Sequence, residues 1–124
     1  MHTNDSIRAR RILKAAQDAT AFSQGFTVET LRADRLRALA VIRCLEIVGD
    51  TAEHITPAFR EAHAKIPWRI LVHMRHRLAQ LYFSVDLALI LETTQQELPS
   101  VIADLTAAIA EEEKEDAPQN ANAA

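Results

Sequence analysis

Between Ala38 and Ile55 the apolar residues Ala38, Val41, Leu45, Val48, Ala52 and Ile55 recur at every third or fourth position. That is the spacing of one helix face, not the alternation of a strand. Leu36, Leu39, Ile42 and Ile47 add an apolar set on another side of the same segment. A helix apolar on two sides needs neighbours on both, so this one belongs at the centre of a bundle or at an interface between two copies. The rest of the chain agrees: with only two glycines in 124 residues, and with Ala, Leu and Arg abundant, good helix formers dominate and turn residues are scarce. The expected fold class is all-α, an antiparallel helical bundle of four to six helices.

Capping residues divide the chain. A first helix is expected from about Asp5 or Ser6 to Ser23, with Ile12, Ala16 and Ala19 inward, ended by Gln24 and Gly25. Thr27 caps the next turn, and the long central helix follows through about Ile55. Thr56 and Pro57, a cap and a first-turn proline, open a short helix to about Ala64. After Asp86, Leu87, Ile90, Leu91 and Thr94 suit a short amphipathic helix. Pro99 opens another, with Val101, Ile102, Leu105 and Ile109 inward. The run Glu111 to Asp116 is mostly acidic, and the last residues have nothing to bury. Residues 1–115 are therefore expected to form one domain and 116–124 a disordered acidic and polar tail.

The stretch from Pro67 to Asp86 is the richest in chemistry. Pro67 suits a first helical turn and Asp86 the cap of the following helix. Leu71, Met74, Leu78, Leu81 and Val85 form one buried stripe. Arg75 and Tyr82 fall nearly in register along one edge of it, and Arg69, His73, His76 and Gln80 make a separate polar row. Glu46, amid the apolar central helix, suggests a structural hydrogen bond or a pairing with a nearby arginine.

Charge is unevenly distributed. Up to Arg77 there are 13 basic residues against eight acidic ones, whereas from Leu78 onward Lys114 alone opposes nine. This asymmetry suggests a basic surface able to hold phosphates beside an acidic one that is not, or else helix faces solvated by different charges. Arg8, Arg10, Arg11 and Lys14 share that ambiguity: a solvated face, or a surface that steers RNA. Cys44, among Ile42, Leu45 and Val48, reads as a small buried hydrophobe. His54 and His63 have no ligand spacing with any cysteine or acid cluster, which argues against a metal site. The sequence has no apolar run as long as a membrane span, no signal-peptide core, no internal repeat, no phosphate-binding glycine loop and no serine-hydrolase elbow. A cytoplasmic protein is expected.

Several of these residues carry a resemblance. Pro67-Trp68-Arg69, Met74-Arg75, Leu78-Ala79, Tyr82-Phe83 and Val85-Asp86 match the motif region of the HEPN ribonucleases, and within them the HepT-like toxins paired with minimal nucleotidyltransferase antitoxins. Leu45-Glu46-Ile47-Val48-Gly49, with Ala52, resembles that family's Leu-Glu-Ile-Ile-Gly-x-Ala run. Gln95 to Pro99 resembles its Gln-x-Asp-Leu-Pro. The family motif is Arg, Asn, three residues, His, one residue, Tyr. This chain has His76 at the Asn position and Gln80 at the His position, and a carboxamide does not accept and return a proton near neutral pH as imidazole does.

The resemblance implies a homodimeric endoribonuclease that needs no metal or other cofactor. In such an enzyme the ribose 2′-hydroxyl attacks the adjacent phosphate while Arg75 stabilises the charge and the polar row handles protons. On one helix positions 75 and 80 diverge by about 140°, so two copies across a symmetry axis would combine the groups. His76 and Gln80 lie one turn apart on the same face, so the family's Asn/His pair is replaced by a His/Gln pair in reversed order. The resemblance also makes Tyr82 the acceptor of AMP from the partner nucleotidyltransferase. Such a modification would place bulk and negative charge beside Arg75. The other reading is a catalytically weakened HEPN module that dimerises and binds its partner or a nucleotide. A purely structural helical adaptor stands behind both.

Overall fold

In the computed structural model the described backbone covers residues 3–81 and 86–123, and side chains are described for 4–78 and 86–115. The helices are α1 (Thr3–Ser23), α2 (Val28–Arg32), α3 (Arg35–Glu53), α4 (Pro57–Ala62), α5 (Trp68–Leu81), α6 (Leu87–Glu92) and α7 (Leu98–Ala123), with a π-helical turn at Thr93–Glu97. The described residues contain no strand. Helix α3 packs against α1 on one side and α5 on the other, and α7 lies along α1. The side-chain bonds fix the directions. Near the start of α1, Arg8 Nη1 donates to the His54 carbonyl at the end of α3 (3.0 Å), and near its end Phe22 O accepts from Arg37 Nη1 at the start of α3 (3.0 Å). Arg10 pairs with Glu113 late in α7, whereas Ser23 bonds Thr94 (2.9 Å) just before that helix. α1 is thus antiparallel to both neighbours, and the fold is an antiparallel bundle of long helices braced by the short α2 and α4.

The central seam is buried as its spacing requires. Val41, Val48 and Ala52 are fully enclosed, and Ala38, Leu45 and Ile55 nearly so. The second apolar side is only partly covered: Ile42 is buried and Ile47 half-buried, while Leu36 and Leu39 are 81% and 45% exposed. The uninterrupted helix expected from Thr27 to Ile55 is instead two. Thr27 caps α2 in a reciprocal box with Thr30, but the chain breaks at Ala33, and the Asp34 carboxylate accepts the Arg37 N–H (3.0 Å) to start α3. A short acidic side chain at a helix start satisfies an otherwise orphaned donor, and here that local option outweighs continuity.

The second correction concerns Pro99. It does not open a separate helix, because α6, the π turn and α7 follow one another without a gap. Leu98 N–H reaches back to the Thr93 carbonyl. This five-residue register widens the turn where a proline ring would otherwise strike the carbonyl four residues earlier. The same turn faces Thr94 and Gln95 toward the end of α1, where Gln95 Nε2 donates to Ser23 O (3.2 Å) and Phe26 O (3.3 Å). Gly25, at φ 79°, supplies the left-handed residue that ends α1. The tail expected to be disordered falls on residues with no described side chains, although the α7 backbone continues as helix to Ala123. Among the described residues no helix is long and apolar enough to cross a membrane.

Candidate functional site

Position and direction of α5 are set at its N-terminal end and at one close contact. Thr56 caps α4 while its backbone N–H and hydroxyl donate to the buried carboxylate of Asp5 (3.0 and 2.6 Å), which pins the turn between α3 and α4 to the first turn of α1. The link to α5 is held by His63, whose ring packs on Phe59 (4.6 Å between centroids) and whose carbonyl accepts from Trp68 Nε1 (3.1 Å). Nε2 of His63 meets Glu112 Oε1 of α7 at 2.8 Å, and both side chains are almost completely enclosed. The Pro67 carbonyl then accepts the Leu71 N–H (3.1 Å), so Pro67 stands at the threshold of α5, and Asp86 caps α6 through Leu89 N (3.0 Å).

Leu71, Met74 and Leu78 are buried, as the stripe requires, on a helix packed against α3; Leu81 and Val85 lie outside the described side chains. The close contact is at Gly49. A Cβ there would stand 3.0 Å from Arg75 N, 3.3 Å from Leu71 O and 3.4 Å from Arg75 Cβ. Helix α3 therefore lies almost on the α5 backbone at the residue that carries the guanidinium. Arg75 is in turn drawn toward α3, with Nε 3.3 Å from Asp50 Oδ1 and Nη1 3.8 Å from Glu53 Oε2. Its side chain remains 65% exposed, so water weakens these ion pairs and leaves the guanidinium open to exchange for another anion.

The polar row is on the surface: Arg69, His73 and His76 are all exposed. Glu53, Val72, His73, Arg75 and His76 line an open cleft of about 470 Å³, in which the rings of His73 and His76 lie 6.2 Å apart and nearly perpendicular. Two of the three expected catalytic residues, Arg75 and His76, thus border one cavity. Gln80 lies on α5, one turn beyond His76, but its side chain is outside the described set; Tyr82 lies outside the described residues altogether. Arg77, although next to His76, turns away to Glu97 (3.6 Å).

Several participants escaped the sequence reading. Asp50 and Glu53 hold Arg75, while Glu46 makes the pairing with a nearby arginine expected of it, through Arg43 on its own helix (3.2 Å). The signal was present in that Glu46, Asp50 and Glu53 share a helix face, but nothing in the spacing says which arginine lies opposite. The His63 and Glu112 pair joins residues 49 apart, beyond any periodicity argument. Of the N-terminal basic set, Arg8 caps the carbonyl end of α3 and Arg10 joins α7, while Arg11 and Lys14 border a second cleft between α1 and α3. No three of the described His, Cys, Asp and Glu residues lie close enough together to hold a metal ion.

An antiparallel bundle whose motif helix presents Arg75 and a histidine row to solvent is the arrangement of a HEPN-class domain. Within that class the chain belongs to the family described as Ribonuclease HepT-like, which matches residues 12–109 and so runs from α1 into α7. A protein of Thermococcus cleftensis named "Probable ribonuclease HepT" is 33% identical over 90 residues, spanning 73% of this chain and 82% of that one. A Caldanaerobacter subterraneus subsp. tengcongensis protein named as a putative RNase is 35% identical over 63% of this chain and 70% of its own length. A Methanocaldococcus jannaschii protein, also named as a putative RNase, is 30% identical over 73% and 83%. No solved structure matches the chain.

Proposed function

We propose that this protein is a toxin-class endoribonuclease of a cytoplasmic toxin–antitoxin pair that cleaves RNA without a metal at a site shared by two copies. The observation that carries this reading is the placement of Arg75 and His76 on one open cleft. The Arg75 fork can take two oxygens of the scissile phosphate and bear the charge that grows on them in the transition state. An imidazole at His76 can take the proton of the attacking 2′-hydroxyl, or supply one to the leaving 5′-oxygen, near neutral pH. Gln80 can hydrogen-bond a phosphate oxygen or orient the imidazole one turn before it, but it cannot carry the proton. The second copy supplies a polar row for the first copy's Arg75. A minimal nucleotidyltransferase is the antitoxin, and transfer of AMP to Tyr82 silences the site by bulk and negative charge.

Gln80 also favours a second reading, in which catalysis is weakened and the protein dimerises and binds its partner or a nucleotide. One experiment separates them. Purified wild type, Arg75→Ala, His76→Ala and Gln80→His are incubated with single-stranded RNA in the presence of a chelator. The enzyme reading expects cleavage by the wild type, lost in Arg75→Ala and His76→Ala. RNA left intact by the wild type and cut by Gln80→His would establish the weakened module instead.

A further inference from the structure

A second cleft, of about 640 Å³, lies between α1 and α3 on the other side of the ion pair that holds Arg75. Its lining falls into three groups. Ala15, Cys44 and Ile47 give an apolar floor; Arg11, Lys14 and Arg43 give cations; Asp18, Asp50 and Thr51 give acceptors and a hydroxyl. The cations can reach a ligand: the Lys14 and Arg43 side chains are 74% and 65% exposed and pair with Asp18 (3.0 Å) and Glu46 (3.2 Å) on their own helices, while Arg11 is exposed with no ion pair among the described residues. Such one-turn surface pairs are weak and exchange readily for a phosphate. Asp50 borders this cleft and contacts Arg75, which lines the other, so one ion pair joins the two cavities.

An apolar floor suits the face of a base, flanking guanidiniums suit a phosphate, and carboxylates with a hydroxyl suit ribose hydroxyls and base amino groups. The volume is ample for one nucleotide. A simple inorganic anion would have no use for the floor, and an apolar ligand none for the cations. We propose that the α1–α3 cleft is an accessory subsite for one nucleotide unit of single-stranded RNA, flanking the scissile phosphate held at Arg75. This inference rests on the ribonuclease reading above and deepens it, since it sets where the strand lies beyond the cut.

Cys44 makes the subsite testable without any turnover. It is the only thiol in the chain, it lines the cleft, and it is 8% exposed. A nucleotide seated there covers it. The rate at which Ellman's reagent modifies Cys44 in the folded protein is measured with and without a fluorescein-labelled oligoadenylate pentamer, whose binding is followed in parallel by anisotropy. At saturating pentamer the rate should fall about five-fold or more. Arg11→Ala and Arg43→Ala, both surface changes checked by circular dichroism, should remove most of the protection, and Arg75→Ala should keep it once the pentamer is raised to saturation. Pentamer that binds by anisotropy but leaves Cys44 unprotected overturns the subsite and leaves the ribonuclease reading standing. Protection lost in Arg75→Ala at saturation but retained in Arg11→Ala and Arg43→Ala does the same, by placing the RNA only in the other cleft. A wild type that does not bind the pentamer overturns both.

Discussion

Replacing Gly49 by alanine tests the packing that aims Arg75. The new Cβ would stand 3.0 Å from Arg75 N and 3.3 Å from Leu71 O, both backbone atoms of α5 that no rotamer change can move away. Only a shift of a few tenths of an ångström between α3 and α5 relieves the contact. Forcing extra volume into a packed interface costs about 1–3 kcal/mol, and alanine in place of glycine within a helix offsets about 1 kcal/mol of that. The backbone identity of the neighbours places the result on the unfavourable side, at about 1 kcal/mol net. That corresponds to a melting temperature roughly 4 °C lower in a domain of this size. Gly49→Val, with two further methyls, should cost about 3 kcal/mol. The assay is urea unfolding with thermal melting by circular dichroism, with an unchanged urea dependence showing that the unfolded state is not the cause. Gly25→Ala is the contrasting case: its Cβ meets nothing within 4 Å, and its cost comes from φ 79° instead. A Gly49→Ala protein that melts at or above the wild type would refute the close-approach argument, because helix propensity alone would then have decided the sign.

The His63 and Glu112 pair is buried, so Glu112→Leu takes the carboxylate from an enclosed imidazole and should cost about 3 kcal/mol, and the double change with His63→Leu should cost clearly less than the sum of the two single changes. Additive urea midpoints would mean that the pair is not coupled. Burial, helped by the negative charge of Asp18, pushes the Cys44 thiol above its ordinary range. Its contribution to stability is therefore intact below the unfolded thiol's pKa and lost as pH rises through the higher folded value, so Cys44→Ala should flatten the alkaline fall of the wild-type melting temperature; parallel curves for the two proteins would contradict it. On the proposed dimer, mixing inactive Arg75→Ala and His76→Ala chains should restore about a quarter of the wild-type cleavage, since half the random dimers are mixed and each has one intact site. No recovery after demonstrated subunit exchange would mean that each site is built within one chain.

What the sequence made legible was whatever depends on neighbours a few positions apart. The seam from Ala38 to Ile55, the caps at Thr56 and Asp86 and the exposed row Arg69, His73 and His76 all follow from helical spacing or from a short polar side chain at a helix start. The break at Asp34 used the same capping chemistry, but it competed with a strong apolar period, and periodicity does not reveal which of the two prevails. Pro99 misled for a related reason: a proline marks trouble for an α-helix, and a π turn is one of several ways of accommodating it. The contacts that aim the site, Asp50 and Glu53 on Arg75 and Glu112 on His63, come from the relative rotation of packed helices. That rotation is set by close approaches such as Gly49 on the α5 backbone, which no local pattern encodes.

The ion pairs on Arg75 bear on how the proposed chemistry is divided. Asp50 and Glu53 hold the guanidinium toward α3, while His76 follows it about 100° further round α5. A phosphate reaching Arg75 must therefore displace two carboxylates that also repel it, and exposed pairs of this kind contribute only about 0–1 kcal/mol each, so a phosphodiester held at a second point can displace them where a free monoanion does not. Cleavage then needs one group to take the 2′-hydroxyl proton and another to protonate the leaving oxygen. With glutamine at position 80, one chain offers His76 and the exposed His73 as carriers on this cleft. A symmetric dimer would set the His73 and His76 of one copy across the strand from the Arg75 of the other, so that base and acid at each site come from the copy that does not supply its guanidinium. The Gln80 substitution thus makes a shared site more necessary to the ribonuclease reading, because the proton carrier missing from the usual position has to come from another turn of the helix or from the other copy.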